Sequence, residues 1–288
     1  MVMKIPVIKS EYKCVYTPAA DIFPAPDSKF FKHGETYENW VPNDFTVTTD
    51  KNNRRHMIGI THPAPAVYTS ESIHDGEWQL FHAVADGVTC NYTDAAKVLP
   101  PSERPNEEFN IYAPHIISHG GVYHMFYGPG PIRHAVSDNL YDWTPTGALF
   151  MDHPSDRDPH ILPHNGGFRM TYVSEDKLLG RYSTDLINWS ESKLVFTMPR
   201  KGVPESPFIV MFDDLYYLFW CIYDGTNGAY DNRTFVYVSD TPEKFEHDGY
   251  VTELKAHAPE IVTDGGKMYI FSAEYPVRGI SAAEIEWR

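Results

Sequence analysis

Cysteine is scarce in this 288-residue chain. There are three, Cys14, Cys90 and Cys221, odd in number, far apart and without a C-x-x-C spacing. That excludes a disulfide framework and a cysteine-based zinc site, and leaves buried free thiols as the expectation. Long apolar runs are lacking as well. Nothing approaches a membrane span, and the opening MVMKIPVIKSEYK has no signal-peptide apolar core. The chain as written is therefore expected to be cytoplasmic and off the membrane; a removed leader would make it secreted or periplasmic. Positive charge is the third shortage: 24 Lys and Arg stand against 39 Asp and Glu, for a net charge of −15. Such a surface repels phosphate backbones and anionic polysaccharides, so nucleic acid is not an expected partner and neutral ligands fit best. Helix-favouring runs of Ala, Leu, Glu and Lys are few.

What the chain has instead is 23 prolines, 14% aromatic residues and a repeated phrase. A short polar site, a proline, an apolar run, a Gly/Asp turn and an aromatic strand recur in order. The copies read YAPHIISHGGVYHMFYG from residue 112, RDPHILPHNGGFRMTYV from 157, ESPFIVMFDDLYYLFWC from 205 and HAPEIVTDGGKMYIFSA from 257. Their prolines are Pro114, Pro159, Pro207 and Pro259, at intervals of 45, 48 and 52 residues. In a weaker first copy Phe45 takes the proline slot, 69 residues before Pro114, the excess matching a proline-rich insertion over residues 86–110. A period of this length with several short strands per unit predicts an all-β fold, a single five-bladed β-propeller over residues 1–288. A β-sandwich explains the short strands but not phrases that restart alike. Residues 1–30 form a lead-in, whose run Tyr12 to Tyr16 is expected to pair with the last blade and close the ring. A hairpin is expected with strands at Phe45–Thr49 and Met57–Thr61, followed by a strand at Trp78–Val84.

In a propeller the innermost strands start around one axis, so equivalent positions of the phrase converge. Just before each aligned proline stand Asp44, Ala113, Asp158, Ser206 and Ala258; one position earlier stand Asn43, Tyr112, Arg157, Glu205 and His257. Three carboxylates in one funnel are costly, because like charges under partial desolvation raise each other's pKa, and such strain marks function. Paired carboxylates suit glycosidic cleavage, one donating a proton to the leaving oxygen and the other acting at the far side of the anomeric carbon. Arg157 and Asn43 offer planar hydrogen bonds to vicinal hydroxyls. Tyr112 and Trp40 are candidate sugar-facing aromatics, and His257 is a candidate for sugar contact. Trp143 and Trp189 end similar S-x-x-L-x-x-W phrases and are expected to pack between blades.

WVPNDF, DRDPHI and PESPF resemble the three signature segments of glycoside hydrolase family 32, W-x-N-D-P-N-G, R-D-P and E-C-P. The YAPHI, RDPHI, ESPFI and HAPEI phrases also resemble family 43. The likeness spans roughly residues 35–288. It implies a five-bladed propeller and a glycoside hydrolase that removes a terminal furanose-like sugar from a neutral oligosaccharide. The sugar would be a β-fructofuranoside, or an α-L-arabinofuranoside or β-xyloside. Asp44 matches the catalytic aspartate, a nucleophile in family 32 and a general base in family 43. Asp158 matches the aspartate that holds hydroxyls and tunes the acid, Glu205 the general acid, and Arg157 the arginine on the furanose ring. No cofactor is implied beyond a structural calcium in the central channel of some family 43 members, towards which His257 is the candidate. Three features depart from the pattern: an extra residue separates Trp40 from Asn43, Phe45-Thr46-Val47 replaces Pro-Asn-Gly, and Ser206 replaces cysteine. Transglycosylases, glycoside phosphorylases and non-catalytic sugar-binding propellers are the alternatives on the same fold.

Overall fold

The computed structural model describes residues 3–107 and 110–288. Short apolar–polar strands punctuated by Gly, Asn and Asp turns pair with their sequence neighbours, and the result is five antiparallel sheets in a ring, a five-bladed β-propeller. Blade one runs Trp40–Thr49, Arg55–Pro63, Gln79–Ala85 and Thr93–Asp94 from the axis outward. Blade two is Tyr112–His119, Val122–Gly128, Ile132–Ser137 and Thr144–Phe150; blade three is Arg157–His164, Gly167–Ser174, Lys177–Ser183 and Lys193–Thr197. Blade four comprises Val203–Phe212, Leu215–Tyr223, Arg233–Ser239 and Tyr250–Lys255. Blade five has three strands from the C-terminal end, Glu260–Asp264, Lys267–Ala273 and Ile280–Trp287. Its outer position is filled by two N-terminal strands, Pro6–Ile8 and Lys13–Tyr16, both paired to Ile280–Trp287. The ring is thus closed by joining the two ends of the chain within one sheet.

The hydrophobic cores lie between blades, because one face of each small sheet is covered only by the next sheet. Tyr16, Phe45, Phe81 and Phe271 pack between blades five and one. Ile58, Met125, Tyr127 and Trp143 pack between one and two. Phe126, Ile161 and Tyr172, with Trp189 against them, fill the gap from two to three. The turns before both tryptophans are alike: Ser137 and Ser183 accept through their hydroxyls from the backbone N–H of Leu140 and Leu186, and each indole N–H donates to that leucine's carbonyl.

The hairpin of blade one is longer than the sequence pattern suggests, starting at Trp40 rather than Phe45. The spacing excess of this blade is shared by two insertions. Residues 86–110 contribute the outer strand and a 3-10 turn at Pro101–Glu103, with residues 108–109 outside the described ones. A second insertion between strands two and three carries the helix Ser70–His74, started by a capping box between Thr69 and Ser72. Of the thiols, only Cys221 is buried; Cys90 is exposed and Cys14 intermediate, so the expectation of buried thiols holds for one of three. Among the described residues no helix is long and apolar enough to cross a membrane.

Candidate active site

The inner strands slip register at the same point of the repeat. The ladder shifts between Asn43 and Phe45, between Arg157 and His160, between Glu205 and Phe208, and opposite Tyr112 in blade two. A bulge of this kind inserts one unpaired residue and re-aims its side chain. Asp158, Ser206 and Ala258, each before a proline, adopt left-handed φ of +53°, +49° and +48°. Non-glycine residues seldom hold that conformation, and it costs on the order of 1–3 kcal/mol at each position. Three repeats of it around one axis mark the backbone of the site as imposed by the ring.

The result is two spaces stacked along the axis. A cavity of about 890 Å³ opens at the mouth and is lined by Asn43, Tyr112, Arg157 and Glu205, among others. One residue further along each inner strand, Asp44, Ala113, Asp158, Ser206 and Ala258 line a chamber of about 30 Å³. The sequence-derived positions therefore converge in two layers, with His257 the one member of the mouth set that does not line the cavity.

Within these layers the charged groups are tied together. Arg157 places Nε 3.7 Å from Asp158 Oδ2 and Nη2 3.8 Å from Glu205 Oε1. Its Nη2 also donates to the Pro204 carbonyl at 3.3 Å. Ser206 donates its backbone N–H to Asp158 Oδ2 at 3.0 Å and its hydroxyl to Asp44 Oδ1. Burial pushes the Glu205 carboxyl up to about 8; Arg157 opposes this, while Asp44 and Asp158 reinforce it. Its side chain nevertheless keeps 24% of its surface open to the cavity, so a substrate can reach the proton. Asp44 and Asp158 are likewise raised, first by burial. The Ser206 hydroxyl and then Arg157 pull Asp44 back down; Asp158 is raised further by Asp44. This arrangement can donate a proton from Glu205 while an ionised aspartate stands across the cavity floor.

Two sequence-derived candidates are displaced from the sugar-facing role. Trp40 is 1% exposed and packs with Phe23 of the lead-in and with Phe31 and Tyr37 just after it, its indole N–H donating to the carbonyls of Asp21 and Tyr37. It does not line the cavity. The run of aromatics Phe23, Phe31 and Tyr37 ahead of Trp40 is the sequence signal for such packing. His257 is also 1% exposed and sits behind the site. Its Nδ1 bonds the Asp231 carbonyl at 2.9 Å, an acceptor only, so Nδ1 carries the hydrogen. Burial lowers the ring to about 4 and so keeps it neutral, with its Nε2 3.0 Å from Asn43 Oδ1. His257 thus lies against Asn43, which faces the cavity.

Sequence reasoning missed a second wall. His74 and Glu77, from the helical insertion, line the cavity with Tyr112. His74 Nδ1 lies 2.8 Å from Glu77 Oε2 and 3.2 Å from the Tyr112 hydroxyl. The bond to Glu77, only 3% exposed, raises the imidazole's pKa. Tyr230 closes the mouth from blade four; its hydroxyl bonds Nε2 of His62, whose Nδ1 is held by the Pro63 carbonyl. Glu260, deep in the chamber, accepts from the Val47 N–H and is held far above its ordinary range by burial.

A calcium ion would require six to eight oxygen ligands. The chamber presents the carboxylates of Asp44, Asp158 and Glu260 and the imidazoles of His115 and His160, both imidazoles kept neutral by burial, with rings 4.7 Å apart. Among the described residues no three His, Cys, Asp or Glu side chains form a metal-holding group.

No protein-family model matches the chain, and no curated protein matches it in sequence. Solved structures do match in shape. A GH43 β-xylosidase/α-arabinofuranosidase from a compost microbial metagenome, in complex with xylotriose, superposes with a TM-score of 0.67 at 13% identity, over 97% of this chain and 95% of that one. An exo-1,5-α-L-arabinanase from a bovine ruminal metagenomic library gives 0.61 at 16% identity, over 86% and 92%. The Bombyx mori GH32 β-fructofuranosidase gives 0.63 at 15% identity, over 85% of this chain and 59% of that one. At these identities the likeness establishes the shared propeller.

Proposed function

We propose that the protein is an exo-acting glycoside hydrolase that removes a terminal furanose-like sugar from a neutral oligosaccharide. Glu205 is the general acid, Asp44 the nucleophile or general base, and Asp158 with Arg157 grips the ring hydroxyls. The observation that carries this reading is the state of Glu205. A carboxyl raised to about 8, facing a cavity and flanked by two aspartates, keeps its proton at neutral pH and can give it to a leaving oxygen. The cavity supports the exo preference, since the helical insertion at His74–Glu77 and the Tyr230 segment stand on two of its sides. The solved structures of similar shape include enzymes named for arabinan, xyloside and fructofuranoside cleavage, which fits this substrate class.

The test is a panel of aryl fructo-, arabino- and xylofuranosides and pyranosides, followed by the unactivated oligosaccharide of whichever sugar is released. Glu205→Gln is expected to lower the rate on the unactivated substrate by about 10²- to 10⁴-fold, and less on an aryl glycoside whose leaving group needs no proton. Unchanged hydrolysis of the unactivated substrate would remove Glu205 from its role.

A further inference from the structure

We infer that Ser206 is a positioning residue for the reaction, its hydroxyl fixing Asp44 and its backbone N–H fixing Asp158, so that one residue beside the acid sets both aspartates. This rests on the carboxylate roles proposed above. Ser206 Oγ donates to Asp44 Oδ1 across the axis, from blade four to blade one, while Ser206 N lies 3.0 Å from Asp158 Oδ2 of blade three. Three blades meet at this residue.

The two bonds have different origins. The backbone bond follows from the left-handed turn before proline, which Asp158 and Ala258 share. At Ala258 the equivalent N–H goes to Cys221 Sγ at 3.1 Å. The turn is therefore scaffold, repeated without regard to chemistry. Only blade four adds a hydroxyl to it, and that hydroxyl meets the aspartate of blade one. Apart from Asp44's own backbone N–H, no second hydrogen-bond donor to this carboxylate is present among the described residues.

A hydroxyl pointing its hydrogen at a carboxylate favours the ionised form. Asp44 is otherwise pushed up by burial and by Glu77, so the Ser206 bond is the largest effect holding it down. Loss of the bond moves Asp44 towards the range of Glu205 and narrows the pH interval in which one is ionised and the other protonated. It also frees the carboxylate to rotate away from the cavity floor.

The experiment compares Ser206→Ala and Ser206→Gly with the wild type. Both lack the hydroxyl and keep the N–H, but glycine adopts a φ of +49° without strain, so Ser206→Gly is expected to be no less stable. Asp44 is followed by carbon-13 carboxylate titration in the free protein, and kcat/KM by its pH profile on the substrate found in the glycoside panel. The inference expects the Asp44 titration and the acid limb of the profile to move up together by about one pH unit in both variants. An Asp44 titration and an acid limb identical to wild type in Ser206→Gly overturn it. If the wild type cleaves no glycoside, the hydrolase reading fails, and the Asp44 titration still decides the link to Ser206.

Discussion

In the folded chain Glu205 titrates at about 8, whereas the same side chain in an unfolded chain titrates near about 4.3. A carboxyl raised by folding stabilises the native state fully below its unfolded pKa. That contribution is lost as pH rises through the folded one, because the unfolded chain releases its proton first. Glu205 thus weighs on the fold at the pH where its proton is useful. Glu205→Gln removes the ionisation. The melting temperature of the variant minus that of the wild type should be smallest at pH 4, grow between about pH 4.5 and 8, and level off above that. Thermal unfolding followed by circular dichroism across this range checks it. A difference independent of pH would mean that Glu205 is not perturbed in the fold.

At the scale of the strand, the placement of Asp44 depends on a residue that never touches the cavity. Gly59, on the second strand of blade one, lies opposite Phe45 where the ladder slips past Asp44. A Cβ there would fall 2.4 Å from Phe45 Cβ and 2.7 Å from Phe81 Cε1. Neither can yield easily, one being at the root of its side chain and the other in a buried ring. Gly59→Ala is therefore expected to cost about 1–3 kcal/mol as an overpacked core, read as a lower denaturation midpoint. It should also lower kcat, because the inner strand must shift at the bulge that aims Asp44. A variant with unaltered stability would show that the two strands have slack there. What the sequence made legible follows the same division. The repeated phrase brought Arg157 and Glu205 to the mouth and Asp44 and Asp158 to the chamber next to it because strand starts obey the ring's symmetry. His74 and Glu77 were not legible, since they lie in an insertion outside the repeat. The inward or backward aim of Trp40 and His257 depends on bulges and on partners distant in sequence, which a period cannot register.

Across the whole molecule the ring is only as strong as its closure, because every blade is covered by its neighbours and the first and last must also meet. Tyr16 stands at that seam. It belongs to the N-terminal strand paired with Ile280–Trp287 in blade five. Its ring stacks on Phe81 of blade one at 4.9 Å, and its hydroxyl donates to Asp94 at 2.7 Å. The seam lies beside blade one, whose inner strand carries Asp44 and meets blade four through the Ser206 hydroxyl. Opening it should therefore cost structure and activity in a single event. Tyr16→Ala is expected to destabilise by about 3–5 kcal/mol, as for large aromatic truncations, and Tyr16→Phe by about 1 kcal/mol for the lost hydrogen bond. Thermal unfolding should remain one transition in both variants, with glycoside hydrolysis lost at the same midpoint as the circular dichroism signal. Two separated transitions, with activity surviving the first, would mean that the seam melts alone and that the remaining blades hold the site without it.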